Sequence, residues 1–352
     1  APQQPSPLAP MQGPATALIA VDDLVGARAF GAARGWLRGL EPPAAGPLLA
    51  SAPPSEQPPL ERPTLAWAHG VRANDARACV ALTARGEPIF ATAALVVVVD
   101  APSGVVAEEA ADAVAARRQR YYREHTDQVL CIATHADGAI VASGQLGAEP
   151  PIHVWDATNM KALAVLRGAH SAGVAAVAFG GEGGSLLASV DLAQSPLLAL
   201  WDWRRGRLLA TARVGRQRVL GLGFDGPSGA LVTYGKRQLR FWSCEGRLRS
   251  RRGLFGEASA HTTLCVGFLH SGHVMLCGTA SGALLEWADG RCQRAIQINK
   301  QQPIFGIHTG PEGVVVAGKG GRLFWWPPTA AAPLRAADAR VFHLGSLVAA
   351  AA

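Results

Sequence analysis

The sequence is poor in aromatic residues and rich in residues that form turns. Aromatic residues account for only 6% of the 352 residues, whereas glycine numbers 40 and proline 24. Frequent turn residues and small side chains favour a β-rich architecture over a helical bundle. The hydrophobic content of 49% is sufficient for a large core, in one domain or two.

Cysteine pairs and long apolar runs are also missing. The six cysteines include no pair with C-x-x-C spacing, so a zinc site is not indicated. They lie in apolar segments, where free thiols pack as small hydrophobic groups, and this is typical of a reducing compartment. The longest apolar run, Ala91 to Val99, is far shorter than the ~20 residues of a membrane-spanning helix. Since no signal-peptide pattern begins the sequence, it predicts a cytoplasmic protein without a membrane partner.

Proline is distributed unevenly along the chain. Half of the prolines, 12 of 24, fall within the first 60 residues, and Pro-rich stretches such as 41–63 cannot hold a helix or a central strand. Residues 1–61 are therefore predicted to form a disordered Pro/Ala-rich leader. Residues 15–40 have apolar positions at helical spacing, which indicates either a transient helix in a tail or a partner-docking helix. The folded part is expected at 62–352, with an apolar motif at about 65–100, repeats at about 117–327 and an Ala-rich C-terminal tail.

Five segments that follow the apolar motif share one plan. Each begins with an alternating strand, turns at a Gly-rich or Asp-containing corner and closes a third strand on tryptophan. The closing residues, 46, 41, 45 and 38 positions apart, are Trp155, Trp201, Trp242, Trp287 and Trp325. A period of ~40–45 residues with about four strands per unit is typical of a WD-repeat propeller blade. The predicted fold is an all-β WD-repeat β-propeller, with about five recognisable blades plus strands from the preceding motif.

The Trp-Asp pairs that close the first two repeats have a structural explanation. A buried indole N–H needs an acceptor, and a hydroxyl, an imidazole and a turn carboxylate can complete a polar chain. The residues assigned to these chains and corners are His125, Asp137, Ser143, Trp155 and Asp156 in the first repeat and His170, Ser189, Trp201 and Asp202 in the second. The first turn of the second repeat offers no Asp. A hydrolase triad of His125, Asp137 and Ser143 is disfavoured, because no nucleophile elbow accompanies it.

Basic residues exceed acidic ones, which gives the chain a net charge of +7. Such a chain attracts polyanions, although charge alone does not distinguish an acidic protein from nucleic acid or lipid. The densest basic tract contains Lys236, Arg237, Arg240, Arg247, Arg249, Arg251 and Arg252. Smaller clusters are Arg204, Arg205 and Arg207, and Arg117, Arg118, Arg120 and Arg123. Each cluster is either a surface for an acidic partner or a set of solvated loops.

Other binding chemistries have weaker support in the sequence. Phe241 and Trp242 lie within the basic tract, but Trp242 is needed by its blade and is poorly placed to stack on bases. His270 and His273 have no third metal ligand nearby. The Gly-rich turns lack the Lys-Ser/Thr of a phosphate-binding loop. The sequence therefore predicts no nucleic-acid partner, no metal and no cofactor.

The apolar motif and the repeats together resemble a known family. "LAWAHGVR" (65–72) and "GEPIFATAALVVVVD" (86–100) resemble the hydrophobic motif that precedes the WD repeats of the echinoderm microtubule-associated protein-like family. "GQLGAEPPIHVWD" (144–156), "WDWRRGRLLA" (201–210) and "FWSCEGRLRSRRGLFG" (241–256) are similar to its repeats. The resemblance covers about residues 65–326 and looks most like the long multi-repeat members, in a truncated or divergent form. It departs from the motif where His69-Gly70-Val71 replaces Tyr-Gly-Tyr.

The resemblance implies binding to tubulin or microtubules, without catalysis and without a cofactor. It also implies two fused propellers bridged by the motif. The expected function is that of a non-enzymatic protein of the microtubule cytoskeleton, whose basic tract attracts the acidic tails of tubulin. A general scaffold propeller without tubulin affinity is the alternative, because one fold hosts many functions.

Overall fold

The described part of the chain consists of antiparallel β-sheet and irregular loops. The computed structural model describes residues 65–72, 76–100, 118–225, 229–244, 247–256, 261–269, 274–328 and 334–344. Its helical elements are two single-turn 3-10 helices, Glu182–Gly184 and Ala336–Asp338. The predicted leader at 1–61 lies outside the described residues.

Within these ranges, 24 strands form six sheets of four strands each. Sheet 1 contains β1 (Val80–Leu82), β2 (Pro88–Thr92), β3 (Leu95–Val99) and β4 (Gln119–Tyr122); sheet 2 contains β5 (Val129–Thr134), β6 (Ile140–Gln145), β7 (Ile152–Asp156) and β8 (Lys161–Leu166). Sheet 3 contains β9 (Val174–Gly180), β10 (Leu186–Asp191), β11 (Leu197–Asp202) and β12 (Arg207–Arg213); sheet 4 contains β13 (Val219–Phe224), β14 (Leu231–Gly235), β15 (Gln238–Ser243) and β16 (Arg249–Arg252). Sheet 5 contains β17 (Thr263–Phe268), β18 (Val274–Thr279), β19 (Ala283–Ala288) and β20 (Arg291–Gln297); sheet 6 contains β21 (Ile304–Gly310), β22 (Gly313–Gly318), β23 (Arg322–Trp326) and β24 (Arg340–His343).

The sheets are arranged around a common axis. Consecutive strands pair as antiparallel neighbours throughout, so each sheet is a simple meander. From sheet 2 onward, the first strands of successive sheets contact one another, in the order β5, β9, β13, β17 and β21. These strands therefore lie nearest the axis, and the fourth strands lie at the outer edge. The architecture is a six-bladed β-propeller, which confirms the all-β propeller prediction and corrects the count of five blades.

Buried apolar clusters join each sheet to the next one. Five such clusters link sheets 1 to 6 in order, and none of the clusters among the described residues links sheet 6 to sheet 1. The third strand of each of sheets 2 to 6 contributes one buried tryptophan to the cluster that the sheet shares with the preceding one. The tryptophans are Trp155, Trp201, Trp242, Trp287 and Trp326. Trp203, just after β11, is a second tryptophan in the cluster of sheets 2 and 3. The repeated tryptophan is thus the side chain that packs one blade onto another.

Two elements of the propeller were not recognised in the sequence. Sheet 1 is a complete blade, since Gln119–Tyr122, which was placed with the repeats that follow, pairs with β3 as its fourth strand. Its third strand, Leu95–Val99, lacks the closing tryptophan that marked the other blades. At the other end, Arg340–His343 pairs with β23, although the Ala-rich tail showed no strand pattern and the propeller was predicted to end at 327.

The last closing tryptophan was assigned to the wrong member of a Trp-Trp pair. Trp326 is fully buried, and its indole N–H donates to the carbonyl of Arg335 at 2.9 Å. Trp325 lies on the opposite face of β23, where Arg340 stacks on its ring at 5.2 Å. Alternation along a strand places neighbouring side chains on opposite faces, so only one of the two reaches the core.

Candidate functional site

A buried polar chain in sheet 2 holds the first closing tryptophan. The indole N–H of Trp155 donates to Ser143 Oγ at 3.0 Å, and His125 Nε2 lies 2.7 Å from the same hydroxyl. His125 Nδ1 lies 2.8 Å from Gln145 Oε1, so the chain is satisfied when the His125 proton is on Nδ1. Burial lowers the pKa of His125 to about 4, which keeps its imidazole neutral near pH 7. The chain has a structural role, because Ser143 is fully buried and its hydroxyl is occupied.

The carboxylate predicted for this chain lies elsewhere. Asp137 is at the β5–β6 turn, where its Oδ1 accepts from the backbone N–H groups of Ala139 and Ile140 at 2.9 and 3.0 Å. Its other oxygen is 3.0 Å from His135 Nδ1. His125 precedes β5 and lies at the other end of the strands, where Gln145 ends β6. The assignment of Asp137 is therefore corrected, and the fourth member of the chain is Gln145.

A second buried imidazole, not recognised in the sequence, packs beside this chain. Tyr122 Oη is 2.8 Å from His153 Nδ1, and the Tyr122 ring stacks on Trp155 with centroids 4.6 Å apart. The rings of His125 and His153 are 4.3 Å apart. Burial, followed by the charges of His125 and Arg167, lowers the pKa of His153 to about 3. Both imidazoles are therefore neutral in the folded protein near pH 7.

Sheet 3 contains a shorter version of the same chain. Trp201 donates to Ser189 Oγ at 2.8 Å, and His170 Nε2 lies 2.6 Å from that hydroxyl. No carboxylate bonds to this imidazole: His170 Nδ1 has no hydrogen-bond partner among the described residues. Asp191, which ends β10 as Gln145 ends β6, is only 4% exposed and accepts from the backbone N–H of Leu197 at 2.9 Å. Burial lowers the pKa of His170 to about 4, and the negative charge of Asp191 opposes this shift.

The hydrogen-bond acceptor is lost progressively along the later blades. In each of sheets 2 to 6, the closing tryptophan pairs with a residue on the preceding strand. The residue two positions after that partner is the one that accepts the indole N–H in sheets 2, 3 and 4. The residues at this position are Ser143, Ser189, Thr233, Cys277 and Val316. Thr233 accepts from Trp242 at 2.9 Å, whereas the buried Trp287 N–H, in the blade where Cys277 takes this position, has no partner among the described residues. A buried donor without a partner costs about 1–3 kcal/mol, so the closing tryptophan of sheet 5 is less well satisfied than those of sheets 2 and 3.

Replacing Cys277 with serine is expected to stabilise the propeller by about 1 kcal/mol, because the hydroxyl supplies the acceptor that Trp287 lacks. The reciprocal variant Ser189→Cys is expected to cost about 1–3 kcal/mol, since it leaves the Trp201 N–H unpaired. Urea unfolding of both variants measures the two effects. A destabilised Cys277→Ser together with a tolerated Ser189→Cys would contradict the role assigned to this position.

The aspartates of the two Trp-Asp pairs close the turns that follow β7 and β11. Asp156 Oδ1 accepts from the backbone N–H and the hydroxyl of Thr158 at 2.7 and 2.6 Å. Asp202 Oδ1 accepts from the backbone N–H of Arg205 at 3.1 Å. Both carboxylates act locally, as aspartates commonly do in turns.

The basic tract is divided between the two faces of the β15–β16 hairpin. Arg252 on the exposed outer strand β16 lies directly opposite Arg240 on β15, and the next pair is Phe241 with Arg251. Arg252 and Arg240 line a cleft of about 720 Å³ together with Arg237. Arg249, Arg251, Lys236 and Arg247 are not in this cleft. The structure thus brings three of the seven predicted residues together.

Arg251, on the other face of the hairpin, already contacts an aromatic ring. Its guanidinium lies 5.6 Å from the centroid of the Phe241 ring, in a cleft that also contains Asp289. Arg249, on the same face, lines a neighbouring cleft with Arg251. Lys236 and Arg247 are exposed in loops.

The two smaller basic clusters also have internal partners. Arg120 pairs with Glu87 at 2.6 Å and with Asp100 at 2.8 Å. Arg205 pairs with Asp202 at 3.1 Å, and Arg204 stacks on the Trp203 ring at 4.9 Å. Arg117 lies outside the described residues. These partners reduce the charge that either cluster offers to another molecule.

Neither a metal site nor a membrane-spanning helix is found among the described residues. Among the described residues, no group of three or more His, Cys, Asp or Glu side chains could hold a metal ion. His270 and His273 lie outside those residues. All six cysteines are free thiols. Within the described ranges, no helix has the length and apolarity that a membrane crossing requires.

Six radial four-stranded sheets, packed through buried tryptophans and carrying an arginine-lined cleft on sheet 4, define an arginine-rich β-propeller protein. Residues 118–338 match the family model described as the first β-propeller of echinoderm microtubule-associated protein. The chain belongs to the echinoderm microtubule-associated protein-like family, which confirms the resemblance noted in the sequence.

Its relatives are considerably longer proteins. Echinoderm microtubule-associated protein-like 1 of Rattus norvegicus is 31% identical over 285 residues, which cover 76% of this chain and 33% of the relative. Echinoderm microtubule-associated protein-like 2 of Mus musculus is 32% identical over 278 residues, covering 74% and 40%. Echinoderm microtubule-associated protein-like 3 of Homo sapiens is 33% identical over 250 residues, covering 65% and 27%. The chain thus spans less than half the length of these relatives.

The search of solved structures also found a propeller. The Cps50 (Swd1) β-propeller domain of Myceliophteria thermophila is 19% identical, with a TM-score of 0.49, over 60% of this chain and 69% of that chain.

Proposed function

We propose that this chain is a non-enzymatic, microtubule-associated WD-repeat propeller of the cytoplasmic cytoskeleton. It binds tubulin in microtubules through its arginine-rich surface. The observation that carries the proposal is membership of a family whose relatives are named as microtubule-associated proteins. The net charge of +7 supports it, because the tails of tubulin are acidic and opposite charges steer association.

The placement of the polar side chains also supports a binding role without catalysis. His125 and Ser143 are 5% and 0% exposed, and their hydrogen bonds hold a tryptophan. The described residues of the basic tract are exposed or half-buried, and the charge of arginine does not change in the physiological pH range. Such a surface is suited to binding an acidic polymer.

Co-sedimentation of the full chain with stabilised microtubules tests this function. Pelleting is expected at low salt and is expected to decline steeply as salt screens the arginines. A spin without microtubules controls for self-association. Folded protein that stays in the supernatant at low salt would contradict tubulin binding and favour a scaffold propeller. Pelleting that is insensitive to salt would contradict the role of charge.

A further inference from the structure

Three adjoining cavities open at the same end of sheets 3 and 4. The cleft of about 720 Å³ in sheet 4 shares Arg216 with a second cleft of about 810 Å³, which lies beside the β10–β11 turn. The second cleft shares Arg218 and Leu192 with a cavity of about 260 Å³. The shared lining residues place the three cavities side by side. We call these adjoining cavities the arginine groove. Its lining includes Arg72 and Arg77 in the smallest cavity and five further arginines, which are Arg216, Arg218, Arg237, Arg240 and Arg252.

The groove runs from the centre of the propeller to its outer edge. The smallest cavity is lined by Leu130, Ala175 and Leu220, which lie on the inner strands β5 and β9 and on β13. Arg77 also lines this cavity. At the other end, Arg252 is on β16, the outermost strand of sheet 4. A ligand in the groove would therefore lie along the radius of the propeller.

The groove has an unbalanced positive charge. Among the described residues that line its three cavities, none is Asp or Glu. Within the described part of the chain, none of these five arginines forms an ion pair, whereas Arg120, Arg205 and Arg294 each have a carboxylate partner. Arginine guanidinium groups are strong donors to carboxylates, so these five are available to an external anion.

Two of the arginines are held in an unfavourable position. Arg240 and Arg252 lie directly opposite each other on neighbouring strands, an arrangement that destabilises a sheet when the charges are alike. Arg240 is half-buried and donates to Ser250 Oγ at 3.1 Å. Its burial, and then the charge of Arg252, lower the pKa of its guanidinium. An anion between the two guanidinium groups would offset both the repulsion between the like charges and the lowering of the Arg240 pKa.

The size and lining of the groove favour a peptide over a small ion or a nucleic acid. A cleft of about 720 Å³ is within the range of about 300–1,000 Å³ that drug-sized ligands occupy, and it is one of three. Leu239 and Phe255 form apolar parts of its wall. Phe255 is the only aromatic residue among the described residues that line the three cavities, whereas single-stranded nucleic acid is bound through several stacking aromatics.

We infer that the arginine groove binds an extended, glutamate-rich peptide along the radius of the propeller. The inference rests on the proposed function in one respect, because the natural source of the peptide would be an acidic tubulin tail. Binding of a free acidic peptide does not require microtubules and can be measured separately.

The test measures the affinity of the full chain for a fluorescein-labelled oligo-glutamate peptide by anisotropy at low salt. The groove variant is Arg240→Gln/Arg252→Gln. The matched control is Arg249→Gln/Arg251→Gln, which removes the same charge from the same hairpin on its other face. The groove variant is expected to weaken binding by about tenfold or more, and the control by less than about threefold. A second groove variant, Arg216→Gln/Arg218→Gln, is expected to behave like the first.

Several results would overturn the inference. One is the absence of peptide binding by the folded chain, and another is an equal loss of peptide affinity in the groove and control variants. A third is that the chain binds single-stranded RNA more tightly than the peptide, and that only the groove variant weakens this RNA binding. The proposed function is judged by microtubule pelleting alone. Peptide binding without pelleting would contradict the proposed function and support the peptide-binding role of the groove. Pelleting without peptide binding would support the proposed function and contradict that role of the groove.

Discussion

Replacing Trp155 with alanine is expected to cost about 3–5 kcal/mol of unfolding free energy, as the loss of a large buried aromatic commonly does. Trp155 is fully buried in the cluster that joins sheets 1 and 2, and it stacks on Tyr122 at 4.6 Å. The substitution opens a cavity between two blades. It also leaves the hydroxyl of Ser143 without the donor that now lies 3.0 Å away. Urea unfolding, followed by circular dichroism, measures the loss.

Trp325→Ala is the matched control for this prediction. Trp325 lies on the opposite face of β23 from Trp326, where it is half-buried, stacks with Arg340 and donates its indole N–H to the exposed carbonyl of Glu312 at 3.0 Å. The loss of these two contacts is expected to cost only about 1–2 kcal/mol. The same substitution at Trp326 is expected to behave like Trp155→Ala, because Trp326 is fully buried. Equal stability of the wild-type chain and Trp155→Ala would refute the packing of the blades through tryptophan.

Acid is expected to destabilise the propeller below about pH 6.5. Burial lowers the pKa of His125 and His170 from 6.5 to about 4, and that of His153 from 6.5 to about 3. As the pH falls, the unfolded chain binds these protons before the folded chain does, so unfolding becomes more favourable. The stability contributed by the neutral imidazoles is complete above about pH 6.5 and is lost towards pH 4. For His125 alone the loss approaches about 3 kcal/mol, at ~1.36 kcal/mol per pKa unit.

The pH dependence is measured by urea unfolding at several values between about pH 8 and pH 4.5. The range from about pH 6.5 to 5 is the most informative, because ordinary carboxylates remain largely ionised there. The variant His125→Gln/His170→Gln is expected to be less stable at pH 7 and to show a shallower dependence in this range. A wild-type curve parallel to that of the variant would contradict the buried, neutral state of the two imidazoles.

Local sequence patterns identified five of the six blades, but not sheet 1 as a complete blade and not the last strand of sheet 6. The tryptophan and hydroxyl positions of sheets 2 and 3 recur at fixed spacing, so they can be recognised without a structure. Sheet 1 has an apolar strand, Leu95–Val99, in place of a tryptophan-bearing one. The fourth strand of sheet 6, Arg340–His343, follows an Ala-rich segment that has no strand pattern. Its pairing with β23 is a long-range contact that local patterns do not specify.

The candidate site was predictable in composition but not in shape. The arginine-rich tract is evident in the sequence, and alternation along β16 already separates Arg252 from Arg249 and Arg251. The sequence could not show that Arg216 and Arg218, from the loop before β13, lie beside that tract. It also could not show that the arginines of the smaller clusters pair with carboxylates such as Glu87. These relations arise only when blades pack beside one another.

The proposed recognition of acidic tubulin tails by the arginine-rich face is tested most directly by co-sedimentation of the full chain with microtubules before and after proteolytic removal of those tails. Pelleting is expected with intact microtubules at low salt, with a large loss of pelleting when the tails have been removed. Equal pelleting with both kinds of microtubule, or none with either, would contradict the proposed recognition.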